Sequence, residues 1–201
     1  MTNKIIGIQG DKLDKINISS DTSIFLAHEA QKLGYKIFYY TPSNLSIIKN
    51  KTYANGVFVK LNYERKKFYV ENIKFILIRL DHPFNSEYLI TTLILDGLKK
   101  VKVINNPTAI RNVSEKLYSK HFIKFMPNTL FSNNIEEIRK CYKQNKSIIM
   151  KPINGYGGNQ IHLIQNKFNK KLIKNFLSKN GHSMFQKFLK NISKGDKRVF
   201  I

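Results

Sequence analysis

At 201 residues the chain has room for one large domain or two small ones. Its 42% hydrophobic content supports a core, and no run approaches the ~18 consecutive apolar residues of a membrane span. The short apolar stretch after Lys4 meets Gly10-Asp11-Lys12 too early for a signal peptide, and the single Cys141 excludes an intramolecular disulfide framework or a multi-cysteine zinc site. These bounds predict a cytoplasmic protein without a membrane segment.

The charge is the first puzzle. Thirty-five basic residues against 13 acidic ones give a formal +22, which ordinarily points to a nucleic-acid partner. Yet 30 of those cations are Lys and only five are Arg, the residue that makes bidentate contacts to bases and phosphates. Lys, Ile and Asn together account for 79 residues, and all three have codons rich in A and T. Drift in an AT-rich genome therefore explains the balance better than a nucleic-acid footprint, and no specific nucleic acid is expected.

In chain order, Lys4 to Ile8 reads as a short buried strand. A helix follows over 21–33, capped by Ser20 or Asp21 and ended by Gly34. Lys36 to Tyr40 is the second strand. A β-helix-β opening predicts a parallel sheet. Residues 51–71 alternate as strands around Ala54-Asn55-Gly56, where Asn-Gly signals a hairpin turn. Phe75 to Arg79 reads as a strand buried on both faces. A helix at 86–98, a strand at 101–104 and a turn at Asn106-Pro107 complete the layer.

The second half predicts helices at 112–122 and 134–144, and a strand from Ser147 to Lys151. A glycine loop, a strand at 161–164, a helix at 168–179 and a strand at 183–189 come next. Lys197 to Ile201 starts another strand, on which the sequence stops. The reading is α/β: a parallel-sheet domain over 1–118, then an incomplete second domain over 119–201. On that view Phe185, Phe188, Leu189, Val199 and Phe200 lack packing partners.

The strongest chemical signal is Met150-Lys151-Pro152 followed by Asn154-Gly155-Tyr156-Gly157-Gly158. Glycines let backbone N–H groups approach phosphate oxygens, and the lysine supplies neutralising charge. No Gly-Lys-Ser/Thr follows, so this is not a Walker loop, and no helix follows, so it is not a dinucleotide fingerprint. An ordinary β-turn with its lysine in solvent is the plain alternative. Gln186-Lys187-Phe188-Leu189 ends a strand that could hold a flat ring. In the polar turn Lys194 to Arg198, Asp196 suits a ribose hydroxyl and Arg198 a phosphate or carboxylate. The five histidines show no ligand spacing, and Cys141 falls in a Lys/Arg-rich helix far from any base.

With Arg79-Leu80-Asp81-His82-Pro83-Phe84, Asn106-Pro107, Ile110-Arg111, Glu115-Lys116-Leu117 and Gly195-Asp196-Lys197-Arg198-Val199, these motifs resemble ATP-grasp ligases, and within them the bacterial glutathione synthetases, from Ile5 to Ile201. The resemblance implies a pre-ATP-grasp substrate domain followed by an ATP-grasp domain. It implies ATP-dependent ligation of γ-glutamylcysteine and glycine through an acyl phosphate. Lys116 and Lys151 would contact ATP phosphates, Asn154 to Gly158 would form the closing loop, and Gln186 to Leu189 would cradle adenine. Asp196 would lie at the nucleotide and Arg198 at the reacting groups; Ser23 and Arg79 would face the dipeptide. The resemblance also allows a homo-oligomer.

Departures are His82 and Leu80 in the Arg-x-Asp segment and Lys187 in the adenine hinge. The family's Mg²⁺ ligands belong to a final third that this sequence lacks. From Lys151 onward there are 11 basic residues and one acid, Asp196. The chain is therefore expected to be a truncated or inactive ligase, with a non-catalytic remnant or a basic nucleic-acid-binding protein as alternatives.

Overall fold

Asp21 starts the first helix for an electrostatic reason: its carboxylate accepts from the unpaired N–H groups of Ser23 (2.6 Å) and Ile24 (3.1 Å). Helix α1 (Thr22–Lys32) joins β1 (Ile5–Gly10) to β2 (Lys36–Tyr40), and the two strands pair in parallel as the β-helix-β pattern predicts. Bonds from Gly34 N to Gln31 O (2.9 Å) and from Tyr35 N to Ala30 O (3.0 Å) close the helix in a Schellman arrangement. The computed structural model describes residues 4–59, 65–81, 83–155, 157–197 and 199. The chain divides into two units, Met1–Val113 and Ser114–Ile201.

The sheet of unit 1 runs β3 (Leu45–Ile48), β4 (Lys51–Phe58), β2, β1, β6 (Phe75–Arg79), β7 (Lys102–Ile104), with β5 (Arg65–Tyr69) paired to β4. β1 is central, with parallel neighbours on both sides. The strand period of two splits the core. Ile5, Phe38, Tyr40, Ile76 and Ile78 pack with Leu95 of α2 (Ser86–Asp96) on one face. Ile8, Ile37 and Tyr39 pack with Ala27 of α1 on the other.

Three expectations change here. Asn55-Gly56 is not a turn but lies inside β4, because a Cβ on Gly56 would stand 2.3 Å from the Tyr39 carbonyl and 2.7 Å from the Phe38 ring. The turn falls instead at Lys49-Asn50, both left-handed (φ 47 and 61), between the paired Ile48 and Lys51. β6 alternates, with Ile76 and Ile78 buried and Phe75, Leu77 and Arg79 half-buried. Asn106-Pro107 opens a helix, α3 (Pro107–Asn112): Asn106 caps Ala109 N at 2.9 Å, and proline fits the first helical position because no N–H partner is needed there.

Unit 2 is an antiparallel sheet in the order β10 (His162–Ile164), β9 (Ile148–Pro152), β11 (Ser183–Lys187), β8 (Thr129–Ser132). Helices α4 (Ile135–Asn145) and α5 (Lys170–Asn180) bury Ile138, Cys141, Ile173 and Phe176 against Ile148, Met150 and Phe185. The helix expected at 112–122 is absent. A 3-10 segment, Tyr118–Phe125, takes its place, broken at Phe122. None of its residues is buried, so packing adds nothing to an otherwise weak helix former. β8 went unread in the sequence, and β11 stops at Lys187 rather than residue 189.

Lys197 and Val199 lie in no strand, while Arg198, Phe200 and Ile201 fall outside the described residues. Phe185 does not lack partners; it is wholly enclosed by the unit 2 core. Leu189 and Val199 do stand exposed, at 53% and 82%.

Candidate functional site

Alternation along β9 sends Ile148 and Met150 into the core and Ile149 and Lys151 to the opposite face of the sheet. On β11, Phe185 takes the core side, so Met184 and Gln186 share the face of Lys151. The registers Met184↔Lys151 and Gln186↔Thr129 set Lys151, Gln186 and Thr129 diagonally across three strands. Their side chains join. Lys151 Nζ donates to Gln186 Oε1 (3.1 Å), Gln186 Nε2 to Thr129 Oγ1 (2.9 Å), and Thr129 Oγ1 to the Pro127 carbonyl (2.6 Å).

Lys116 reaches the same neighbourhood. Its ammonium donates to the Gly155 carbonyl and lies 3.7 Å from Glu115. Burial pushes the Lys151 ammonium down from its ordinary value of 10.5, and the Lys116 charge pushes it further the same way. The Lys151 ammonium is thus held partly out of water beside a second cation, with no carboxylate among its own hydrogen-bond partners.

Two glycines shape the loop after β9. Gly157 and Gly158 are left-handed (φ 57 and 74), and nothing lies within 4 Å of where a Cβ on Gly158 would stand. Asn154 is exposed beside them. Tyr156 lies outside the described residues, as does Arg198. At the end of β11, Lys187 N donates to Asn128 O (2.8 Å) and Phe188 N to Ser147 O (3.0 Å), which fixes the strand's exit. Lys187 and Leu189 are exposed there, Phe188 is half-buried, and Asp196 is exposed further on. The structure thus gathers Lys116, Lys151, Gly155 and Gln186. Thr129 and Pro127 were missed; only the fold pairs β8 with β11.

Unit 1 carries a second cluster. Arg79 leaves the end of β6, and its Nε donates to Ser23 Oγ (3.3 Å) and its Nη2 to Thr22 Oγ1. Beyond the carboxyl ends of β1 and β6 lies a crevice of 230 Å³, walled by Gly10, Asp11, Leu80, Asp81 and Tyr88. Strand order reverses at β1, and such switch points are where open α/β sheets take ligands. The crevice wall is pinned by Asp81 N to Asp11 Oδ2 (3.0 Å) and Tyr39 Oη to Asp11 O (2.6 Å). Burial, then the charges of Asp11, Asp21 and Asp81, push the Tyr39 phenol well up, so it stays a donor. Sequence reasoning found Ser23 and Arg79 but missed Thr22 and Asp11 as their setting.

Among the described residues no three His, Cys, Asp or Glu side chains cluster so as to hold a metal ion. His162 instead packs edge-on against the Phe176 ring, and His121 lies beside Tyr118. Burial pushes the Cys141 thiol up. No described helix is long and apolar enough to cross a membrane.

Residues 5–111 match the model of the prokaryotic glutathione synthetase N-terminal domain, and residues 115–201 match that family's ATP-grasp domain. The glutathione synthetase of Mesorhizobium japonicum is 32% identical over 98% of this chain and 67% of its own length. That of Buchnera aphidicola subsp. Acyrthosiphon pisum is also 32% identical, over 98% of this chain and 66% of its own length. The chain thus spans about two thirds of the length of these relatives. Among solved structures, D-cycloserine synthetase DcsG superposes with a TM-score of 0.67 at 10% identity, covering 94% of this chain and 60% of that one. D-alanyl-alanine synthetase A from Vibrio cholerae gives 0.58 at 17% identity, with the same coverage. At such identities these two likenesses speak for the fold alone.

Proposed function

The chain belongs to the prokaryotic glutathione synthetase family, and from that premise we propose that unit 2 binds ATP, unit 1 binds γ-glutamylcysteine, and the whole protein joins this dipeptide to glycine in the cytoplasm. One observation carries the reading. The half-buried Lys151 ammonium is held by a neutral amide and faces the charge of Lys116, an arrangement that a triphosphate satisfies. Lys116 and Lys151 hold phosphate oxygens, and the glycine-rich loop 154–158 folds over them. The exit of β11, from Gln186 to Leu189, borders the base, and Asp196 serves the ribose. ATP, when bound, supplies the phosphoryl group that activates the cysteinyl carboxylate.

The chain's own contribution is charge and shelter. Two ammonium groups offset the charge that gathers on the transferring phosphoryl, and a closed loop keeps water from an activated carboxylate. In unit 1 the Arg79 fork takes a dipeptide carboxylate, with Ser23 and Thr22 holding the guanidinium in place. Arg198 is assigned to the reacting groups on resemblance alone. The described residues offer no carboxylate cluster for Mg²⁺, so they do not fit the divalent ion.

Calorimetric titration with ATP in the presence of a chelator tests the reading. Saturable binding that weakens by about tenfold or more in Lys151→Met is expected, since a charge-assisted contact is lost. Equal affinity in that variant, or no binding by the wild type, overturns it.

A further inference from the structure

We propose that Gln186 is a positioning residue for the Lys151 ammonium, aiming it at the anion site while leaving its charge intact. The inference rests on the reading of Lys151 as a phosphate-binding residue, and it gives Gln186 a task beyond bordering the base.

The hydrogen-bond chain sets the direction of the amide. Thr129 Oγ1 gives its only proton to the Pro127 carbonyl at 2.6 Å, so toward Gln186 it can only accept. Gln186 must therefore turn Nε2 to Thr129 (2.9 Å). That leaves Oε1 for Lys151 (3.1 Å), whose ammonium has donors and no acceptor. Flipping the amide would break both bonds. Gln186 is buried, at 8% exposure, so solvent offers it little in exchange.

The residue type fits this task. A lysine on a free four-carbon stem loses rotamer entropy when a ligand immobilises it, and a side chain already held by a hydrogen bond has lost part of that freedom beforehand. A glutamate would hold the ammonium harder, but it would neutralise the charge that the phosphates need. A neutral amide orients without cancelling. Lys116, the other charged group facing Lys151, adds repulsion that an anion bound between them would relieve.

Two measurements on the full chain decide the matter. The first follows the ¹³Cε shift of Lys151 with pH in ligand-free, lysine-labelled protein, the signal being assigned from Lys151→Arg. The second is the affinity for inorganic tripolyphosphate without metal. Gln186→Glu is expected to raise the Lys151 midpoint by about one pH unit or more, as an adjacent carboxylate does, and to weaken tripolyphosphate about tenfold. Thr129→Val, which touches neither lysine nor ligand, is expected to weaken tripolyphosphate severalfold, and Thr129→Ser to restore it. Circular dichroism confirms that each variant is folded.

A merely structural Gln186 would lower the melting temperature of both variants while leaving the tripolyphosphate affinity of Thr129→Val unchanged. That result overturns the proposal. If the wild type itself fails to bind tripolyphosphate, the phosphate reading falls, and an unaltered Lys151 ¹³Cε shift and midpoint in Thr129→Val would then overturn the role of Gln186.

Discussion

The Lys116 ammonium donates to the Gly155 carbonyl across 39 residues of chain, tying the segment that opens unit 2 to the glycine loop. On the proposed reading, a phosphate entering the site would compete for that same ammonium, and lysine binding would be linked to loop release.

Lys116→Met should loosen the loop before any ligand arrives. Amides of residues 154–160 are expected to exchange faster by hydrogen–deuterium exchange, with the strands of unit 2 unaffected, since open segments exchange at the low end of local stability. Unchanged loop exchange would mean that the Gly155 contact restrains nothing.

Lys151→Met should stabilise the ligand-free chain at neutral pH while impairing anion binding. The folded state holds this proton less firmly than the unfolded chain does, so the wild type gains stability as pH rises toward 10.5. The advantage of the variant, which removes a half-buried ammonium but leaves Gln186 Oε1 without its donor, should be small and should shrink between neutral and alkaline pH. Urea midpoints at three pH values measure it. A variant less stable than wild type at pH 7 contradicts the expectation.

Gly56→Ala should cost about 1–3 kcal/mol, the usual range for overpacking, because the new methyl meets the Tyr39 carbonyl and the Phe38 ring. Both partners belong to β2, so strain falls at the centre of the sheet. Denaturant unfolding of the variant reads it directly, and a neutral outcome would return Asn55-Gly56 to an ordinary exposed position.

Arg111, bonded to Asp96 at 2.7 Å, holds that carboxyl below its ordinary 3.8, and Thr108 adds to the effect. A depressed carboxyl stabilises the fold above its unfolded value and loses that contribution as pH falls through the folded one. The gap in stability between wild type and Asp96→Asn should accordingly stay constant near neutrality and close below pH 3.8. A gap independent of pH would assign it to packing alone.

Legibility in the sequence followed the range of the interactions. Asp21 could be read as a cap because its partners are two and three residues away, and Lys151 because strand, proline and glycine loop adjoin it. Asn55-Gly56 misled because a local turn signal competed with the close approach of β2, from some seventeen residues upstream. The segment 112–122 reads as a helix by composition, yet no residue of 118–125 is buried, and exposed aromatic residues do not hold a helix together. Lys116 has no local signal at all; family resemblance alone pointed to it. Thr129 stayed silent because its partner Gln186 lies 57 residues on.

Strand order in unit 2 has a consequence for synthesis. β11 lies between β9 and β8, so the last of the described strands fills the middle of the sheet. Until residues 183–187 leave the ribosome, β8 and β9 have no common neighbour, whereas unit 1 already has every strand it needs and, as domains generally do, can fold first. Gln186 arrives with that closing strand. Lys151 thus spends the interval as an ordinary solvated lysine, and acquires its depressed proton affinity only when the sheet shuts around it.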